Sequence, residues 1–193
     1  MHLITITIGL VIALGLEGAV EWWHHRNVVH EAEAHIREEF ESNQRLVPVN
    51  VSSVRADEKR IAADIKQLLS LREGQKIQHG NLEYTVSWSS FSESAWKAAQ
   101  SSGALVYINL RTAQDLEGVY TQQEFVATTA ERIYENQTRA IAPLFITGDP
   151  NAMSRDEIQT TLERSADLLL GLRSLEQLLS ELNKQYTEEL KKL

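Results

Sequence analysis

The sequence predicts an all-α protein in which an N-terminal transmembrane helix continues into an antiparallel helical bundle of three long helices and one short helix. An uncharged apolar run starts at Leu3, and apolar residues recur at helical spacing through most of the remaining chain. Only 3 prolines and 9 glycines interrupt the 193 residues, which favours long helices. We therefore divide the chain into a membrane anchor, residues 1–22, and a soluble helical-bundle domain, residues 23–193.

Composition excludes several classes of function. The net charge is -8 and no basic patch is present, which argues against a nucleic-acid partner. Because the chain has no cysteine, disulfides, thiolate metal sites and cysteine nucleophiles are all excluded. The hydrophobic content of 42% is ordinary for a globular protein, so most of the chain is expected to fold.

The N-terminal run predicts the lipid bilayer as a partner. From Leu3 to Val20 a helix would be roughly 27 Å long, close to the thickness of the hydrocarbon core, and it contains one carboxylate, Glu17. A buried core helix and a cleaved signal peptide are the alternatives. The best cleavage position, after Ala19, would place Glu17 where a signal peptidase requires a small neutral side chain. We therefore favour an uncleaved anchor.

Aromatic and basic residues follow the run, as is typical of a membrane interface. Charge alone leaves the orientation open, because the short N-terminal flank has almost no basic residues. Small side chains near the end of the run predict a helix-packing seam, suited to a homodimer or a membrane-protein partner. The seam residues are Gly15, Gly18 and Ala19. The expected interface residues are Glu17, Trp22, Trp23, His24, His25 and Arg26.

Helical spacing continues to about Leu71, with Pro48 as a possible kink or interruption. The string ITIGLVIALGLEGAVEWWHHRNVVHEAEAHIREE, about residues 4–39, resembles a family of uncharacterised bacterial single-pass inner-membrane proteins. The resemblance implies an inner-membrane anchor and a periplasmic helical domain, and it implies no activity, substrate or cofactor. Family members usually have a basic stretch before the span. Its absence here leaves the orientation open and suggests a truncated start.

Four histidines and several glutamates lie within the first turns after the run. His30 and His35 in HEAEAH are five residues apart, whereas a helical zinc-protease motif needs a spacing of four. Glu21 and His24 form one Glu-x-x-His pair, but a di-iron bundle needs a second pair, which the sequence lacks. The candidate metal ligands are Glu21, His24 and His35. A salt-bridged helix face, with His35 between Glu31 and Glu39, is the favoured interpretation, and we expect no cofactor.

Residues 73–90 are expected to form a loop, marked by Gly74, Gly80 and Asn81. Within it, residues 82–89 alternate in polarity and predict an extended segment that lays Tyr84 and Trp88 onto the bundle. Ser90 and Glu93 match a capping box for a short helix over about 91–101.

Two further helices complete the expected bundle. The first covers about 110–146, with Asn109 as its cap, and Pro143 is expected to bend or end it. Its expected apolar stripe is Ala113, Leu116, Tyr120, Ala127, Ala130, Tyr134 and Ile141. The second begins at a capping box formed by Ser154 and Glu157. Its near-heptad stripe is Leu168, Leu172, Leu175, Leu179, Leu182, Tyr186 and Leu193.

No catalytic grouping or phosphate loop stands out, so the sequence favours a noncatalytic, membrane-anchored helical module that binds a partner or senses a signal in the bacterial envelope. The expected location is the inner membrane, with a single pass and the bulk of the chain in the periplasm. One alternative is a metal-dependent enzyme that uses the His/Glu cluster. Another is an accessory subunit of a larger membrane complex.

Overall fold

The computed structural model describes residues 2–77 and 82–193, and these residues are helical apart from turns and one extended segment. No β-strand occurs within the described ranges, so the all-α prediction with three long helices and one short helix is confirmed. The helices are α1 (His2–Arg72), α2 (Ser94–Ser101), α3 (Leu110–Thr147) and α4 (Arg155–Glu189). Two short 3-10 helices, Ala104–Val106 and Pro150–Ala152, precede α3 and α4.

The long helices form a three-helix bundle in which α4 is antiparallel to α1 and α3. Near the start of the packed part of α1, the Gln44 side-chain amide donates a hydrogen bond to the Thr187 hydroxyl near the end of α4, at 2.8 Å. Farther along α1, Nε of Arg55 donates to the Glu176 carboxylate at 2.7 Å. The short helix α2 packs on α1, and an extended segment, residues 82–92, returns along α1 between the ends of the bundle.

A seven-residue repeat explains the packing, since it keeps one helix face turned toward its neighbours in a left-handed supercoil. On α4 the predicted leucine stripe is buried from Leu168 to Tyr186, which confirms that part. Leu193, its last predicted member, lies beyond the end of α4 and is half-buried. On α3 the stripe was predicted only in part. Tyr134 is 39% exposed, whereas the adjacent Ile133 is buried. Five buried apolar residues of α1 recur every seven residues: Phe40, Val47, Val54, Ile61 and Leu68.

Neither proline ends its helix. Helix α1 continues through Pro48 without interruption, and this residue lies on the exposed side of the helix, away from the packed face. Helix α3 likewise passes Pro143 and ends at Thr147, followed by Gly148 at φ +76°. A glycine takes this left-handed conformation without steric cost, so it supplies the helix stop.

Two of the three predicted helix caps are correct. Asn109 accepts the Arg111 N–H at 2.9 Å, and Ser154 forms the reciprocal capping box with Glu157. The box of Ser90 and Glu93 is wrong, because α2 begins at Ser94 and its preceding residue makes no side-chain capping bond.

The first part of α1 extends beyond the bundle, and its apolar side chains are exposed. Ile8, Leu14 and Leu16 are 55%, 59% and 64% exposed. In the parts of the chain that the structure describes, no helix has a stretch that is long and apolar enough to cross a membrane. The predicted transmembrane helix is therefore unsupported. The side chains of residues 3–7 and of Val11, which belong to the predicted span, lie outside the described residues, as do residues 78–81 of the predicted loop.

Candidate functional site

An extended segment packed along a helix is the most unusual feature of the bundle, and we call residues 82–92 the strap. The Asn50 amide donates to the Ser89 carbonyl at 2.8 Å and accepts the Ser89 N–H at 2.9 Å. Asn43 makes the same pair of bonds with Ser92, at 2.7 and 2.9 Å. Each side-chain amide thus bonds a backbone donor and acceptor as a neighbouring β-strand would, so the strap needs no strand partner.

Two carboxylates farther along α1 also contact the strap. Asp57 accepts the Ser87 N–H through Oδ2 at 3.0 Å and forms an ion pair with Arg60 through Oδ1. Asp64 accepts a backbone hydrogen bond from Glu83. Because the four α1 side chains recur every seven residues, they lie on one helix face, and none is more than 3% exposed. We call them the polar ladder: Asn43, Asn50, Asp57 and Asp64.

Burial raises the pKa of both ladder carboxyls. It raises the pKa of Asp64 to about 6, against the opposing effects of the Glu83 backbone bond and the Arg60 charge. The Oδ2 atom of Asp64 is buried and finds no hydrogen-bond partner among the described residues. The pKa of Asp57 is also raised by burial, although the Ser87 N–H and Arg60 oppose the rise. The asparagines of the ladder are therefore hydrogen-bonded through both their donor and their acceptor groups, whereas burial disfavours the charged form of both aspartates.

Glu39, four residues before the ladder, joins three elements of the fold. Its carboxylate accepts the Ser92 and Ser94 hydroxyls, the Ala95 N–H and the Tyr120 hydroxyl, at 2.6 to 2.9 Å. Burial alone would raise the pKa of Glu39, but these bonds outweigh it and lower the pKa. The carboxylate is therefore held in its charged form by four donors from the strap, α2 and α3.

A cleft of about 760 Å³ opens beside Glu39, between residues 28–42 of α1 and helix α2. We call it the head cleft. Small side chains of α2, including Ala95 and Ala98, form one wall. Val28, Ala32 and His35 contribute to the other. The cleft combines small apolar side chains with three carboxylates, a histidine and several hydroxyls, which is the mixture typical of a binding surface.

The structure does not bring the three metal candidates together. In the described part of the chain, no group of three or more His, Asp or Glu residues is placed to hold a metal ion. The Glu21 carboxylate lies 3.9 Å from Nε2 of His25 rather than beside His24, and His35 follows His24 by about three turns of the same helix. His35 contacts Glu31 and Glu38, each at 3.9 Å. The predicted partner Glu39 instead turns inward.

The predicted interface and seam residues all lie on the projecting part of α1. Trp22 and Trp23 are 60% and 61% exposed, and the Arg26 guanidinium lies 5.3 Å from the centre of the Trp22 ring. A Cβ added at Gly15 or Gly18 would meet no atom within 4 Å, so both glycines lie on open surface. Glu17, Ala19 and His24 are exposed too, whereas His25 is half-buried.

Sequence reasoning missed the ladder and the role of Glu39, although one signal was present. Four polar Asx residues at strict seven-residue spacing, on the face next to an apolar heptad, indicate a buried polar row. The extended segment itself was predicted correctly. Tyr84 is buried and its hydroxyl bonds the Ser165 hydroxyl at 2.6 Å, and Trp88 packs edge-on against Phe91.

Comparisons with known proteins do not add a relative to these observations. No family model matches the chain, and no match is found to a curated protein or to a solved structure.

Proposed function

We propose that this protein is a noncatalytic helical module, held in a bacterial inner membrane by the projecting part of α1 and binding a partner in the periplasm through its bundle. The observation that carries the proposal is the continuity of α1, which is one 71-residue helix from the exposed apolar run to the end of the bundle. A change at the membrane would therefore act directly on the head cleft.

The projecting helix supports a lipid environment because Glu17 is the one charged residue in the sequence between Leu3 and Val20. Five alternate residues, 8, 10, 12, 14 and 16, are isoleucine or leucine and are each more than half exposed. Since successive members of this series point about 200° apart on a helix, apolar side chains face outward on two opposite sides. A helix of this type needs an apolar environment, and each such side chain gains about 1.5–3 kcal/mol when it is fully buried.

The residues that follow the run support a boundary near residue 22. Tryptophan favours the headgroup layer of a bilayer, where its ring is partly buried and its N–H stays hydrated. Trp22 and Trp23 are adjacent, and Arg26 covers Trp22. The Arg26 charge can then extend toward lipid phosphates. The family resemblance of residues 4–39 supports the same location.

The bundle supports binding rather than catalysis. Glu39 is saturated with hydrogen bonds, and in the described part of the chain no group of three or more His, Asp or Glu residues is gathered around one centre. We assign the head cleft as the surface that a partner contacts. A membrane protein that packed on Gly15, Gly18 and Ala19 would make this chain an accessory subunit of a larger complex.

Membrane extraction tests the anchor. We expect the full chain, expressed in a bacterium with a C-terminal tag, to stay with the membranes after an alkaline carbonate wash. The double variant Ile12→Lys/Leu16→Lys should appear in the soluble fraction. The matched control, Val49→Lys/Leu170→Lys, adds the same charge at exposed apolar residues of the bundle and should stay with the membranes. Wild-type protein that washes off would contradict the proposal.

Topology is tested in the same cells. The proposal predicts that protease added to intact spheroplasts removes the C-terminal tag. A tag that is protected until the spheroplasts are lysed would place the bundle on the cytoplasmic side and overturn the periplasmic assignment.

A further inference from the structure

An exposed apolar patch lies at the turn before α3. Val106, Tyr107 and Leu110 are 81%, 49% and 73% exposed, and we call them the apex patch. Ala104 and Ile108, which belong to the same short stretch of chain, are buried. Because these two side chains fix the turn on the bundle, the three apex side chains are held facing outward.

A ring stack places the apex patch beside the exit of the proposed anchor. The Tyr107 ring lies on the His25 imidazole, with the ring centres 3.8 Å apart and the planes 16° from parallel. His25 follows Trp22 by three residues, which corresponds to about 4.5 Å along a helix. The apex patch therefore lies at the level of the headgroup layer if Trp22 lies at the membrane interface.

We propose that the apex patch is a second membrane contact, which dips into the headgroup layer next to the point where α1 leaves the lipid. This inference rests on the proposed membrane anchoring of α1. A bilayer is the occupant that fits, because Tyr107 stacks on His25, which follows the exposed Trp22 by three residues. The cations Arg26 and Arg111 directly follow His25 and Leu110 in the sequence. Burying Val106 and Leu110 at the boundary between headgroups and acyl chains removes two large apolar side chains from water.

A second contact has a consequence for the head cleft. A single helix through a bilayer leaves the attached domain free to tilt and rotate, whereas two adjacent contacts hold it in one orientation. Val28, which lines the cleft, follows Trp22 by six residues, or about 9 Å of helix. The cleft would then face the space just above the lipid surface, which suits a partner that is itself in the membrane.

Single cysteine labels test this orientation, since the natural chain has no cysteine. The full chain is placed in nanodiscs that each hold one copy, and Val106→Cys carries a nitroxide spin label. Collisions with oxygen report lipid, and collisions with a water-soluble nickel chelate report solvent. Ile146→Cys is the matched control, because this residue is 84% exposed and lies at the opposite end of α3. Leu14→Cys reports on the anchor itself.

The three labels separate failure of the inference from failure of the anchor. We expect the oxygen-to-nickel collision ratio to be several-fold higher at residue 106 than at residue 146, and highest at residue 14. A lipid signal at residue 14 with equal, water-like signals at 106 and 146 overturns the second contact and leaves the anchor intact. A water-like signal at residue 14 overturns the anchor. Circular dichroism of each labelled variant confirms that the helices are retained.

Discussion

The Glu39 carboxylate on α1 accepts the Ala95 N–H of α2 at 2.9 Å, so the short helix is capped by a residue 56 positions earlier in the chain. A helix of eight residues is too short to be stable alone, and its free N–H groups need acceptors. Glu39 therefore determines where α2 begins and holds it against α1. Both residues line the head cleft.

Replacing Glu39 tests this cap. Glu39→Gln should lower the free energy of unfolding by about 2 kcal/mol at pH 7, because hydrogen bonds to a charged acceptor are lost or weakened. The pKa of Glu39 is lowered in the folded protein, so its contribution is present above the usual carboxyl value of 4.5 and is lost as the pH falls through the folded pKa. Urea unfolding at several pH values measures both effects.

The neighbouring residue provides the control. The Glu38 side chain is 77% exposed, and Glu38→Gln should change stability by less than about 0.5 kcal/mol. An equal loss in the two variants, or a Glu39→Gln deficit that grows as the pH falls below 4.5, would show that the cap does not act as described.

Replacing the Asp64 carboxyl by a neutral amide should stabilise the protein. Its pKa rises from 3.8 to about 6 on folding, so the native state holds an extra proton between these values and stability falls as the pH rises through them. Asp64→Asn should therefore raise the free energy of unfolding at pH 7 by on the order of 2 kcal/mol. Below pH 3.8 the two proteins should differ little, because the wild-type carboxyl is then protonated.

An exposed aspartate on α4 serves as the comparison for that variant. Asp167→Asn, at an exposed position, should change the free energy of unfolding at pH 7 by less than about 0.5 kcal/mol. Asp64→Asn should raise this free energy and flatten its pH dependence between pH 4 and 6. An Asp64→Asn protein that is less stable than wild type at pH 7 would contradict the account of the ladder.

Asn50 tests the attachment of the strap. Asn50→Ala removes both bonds to Ser89 and leaves a backbone donor and acceptor unpaired, which should cost about 2 kcal/mol. Native-state hydrogen exchange should show faster exchange of the Ser89 amide. Ser52→Ala, an exposed change two residues away, should leave this amide protected. Unchanged protection of Ser89 in the Asn50 variant would mean that the ladder does not hold the strap.

A glycine in the middle of α3 offers a stabilising change. A Cβ at Gly118 would meet no atom within 4 Å, so Gly118→Ala should gain about 0.5–1 kcal/mol from helix propensity. At Gly171 on α4 the added Cβ would lie 3.2 Å from Cγ1 of the buried Ile133, so the same change should gain less. Thermal unfolding of the two variants measures the difference, and a larger gain at Gly171 would count against this packing.

Parts of the fold that depend on local pattern could be predicted from the sequence. The leucines of α4 occupy both core positions of each heptad, so their spacing alone predicts which face of the helix is buried. Asn109 and the Ser154 capping box also act within a few residues of their partners. The same is true of the extended residues 82–89, whose alternating polarity has a local cause.

The parts that were missed depend on contacts between distant residues. The Ser90 box is wrong because Glu39 supplies the acceptor for α2 from another helix. The ladder was overlooked because polar residues occupy one of the two heptad positions of α1, so that its apolar stripe looked incomplete. Hydrogen bonds between distant residues, such as Asn50 and Ser89, determine which side of α1 the strap packs on. A local sequence pattern cannot predict such contacts.

Hydrogen exchange of the full chain, with and without nanodiscs, tests most directly whether α1 runs unbroken from lipid into the bundle. The account predicts that amides of residues 8–23 exchange quickly in water, where no part of the described bundle packs on them, and become protected in nanodiscs. Protection should then continue without a gap through Trp22 and Arg26 to Glu39. Equally fast exchange of residues 8–23 in both conditions would contradict a membrane-held helix.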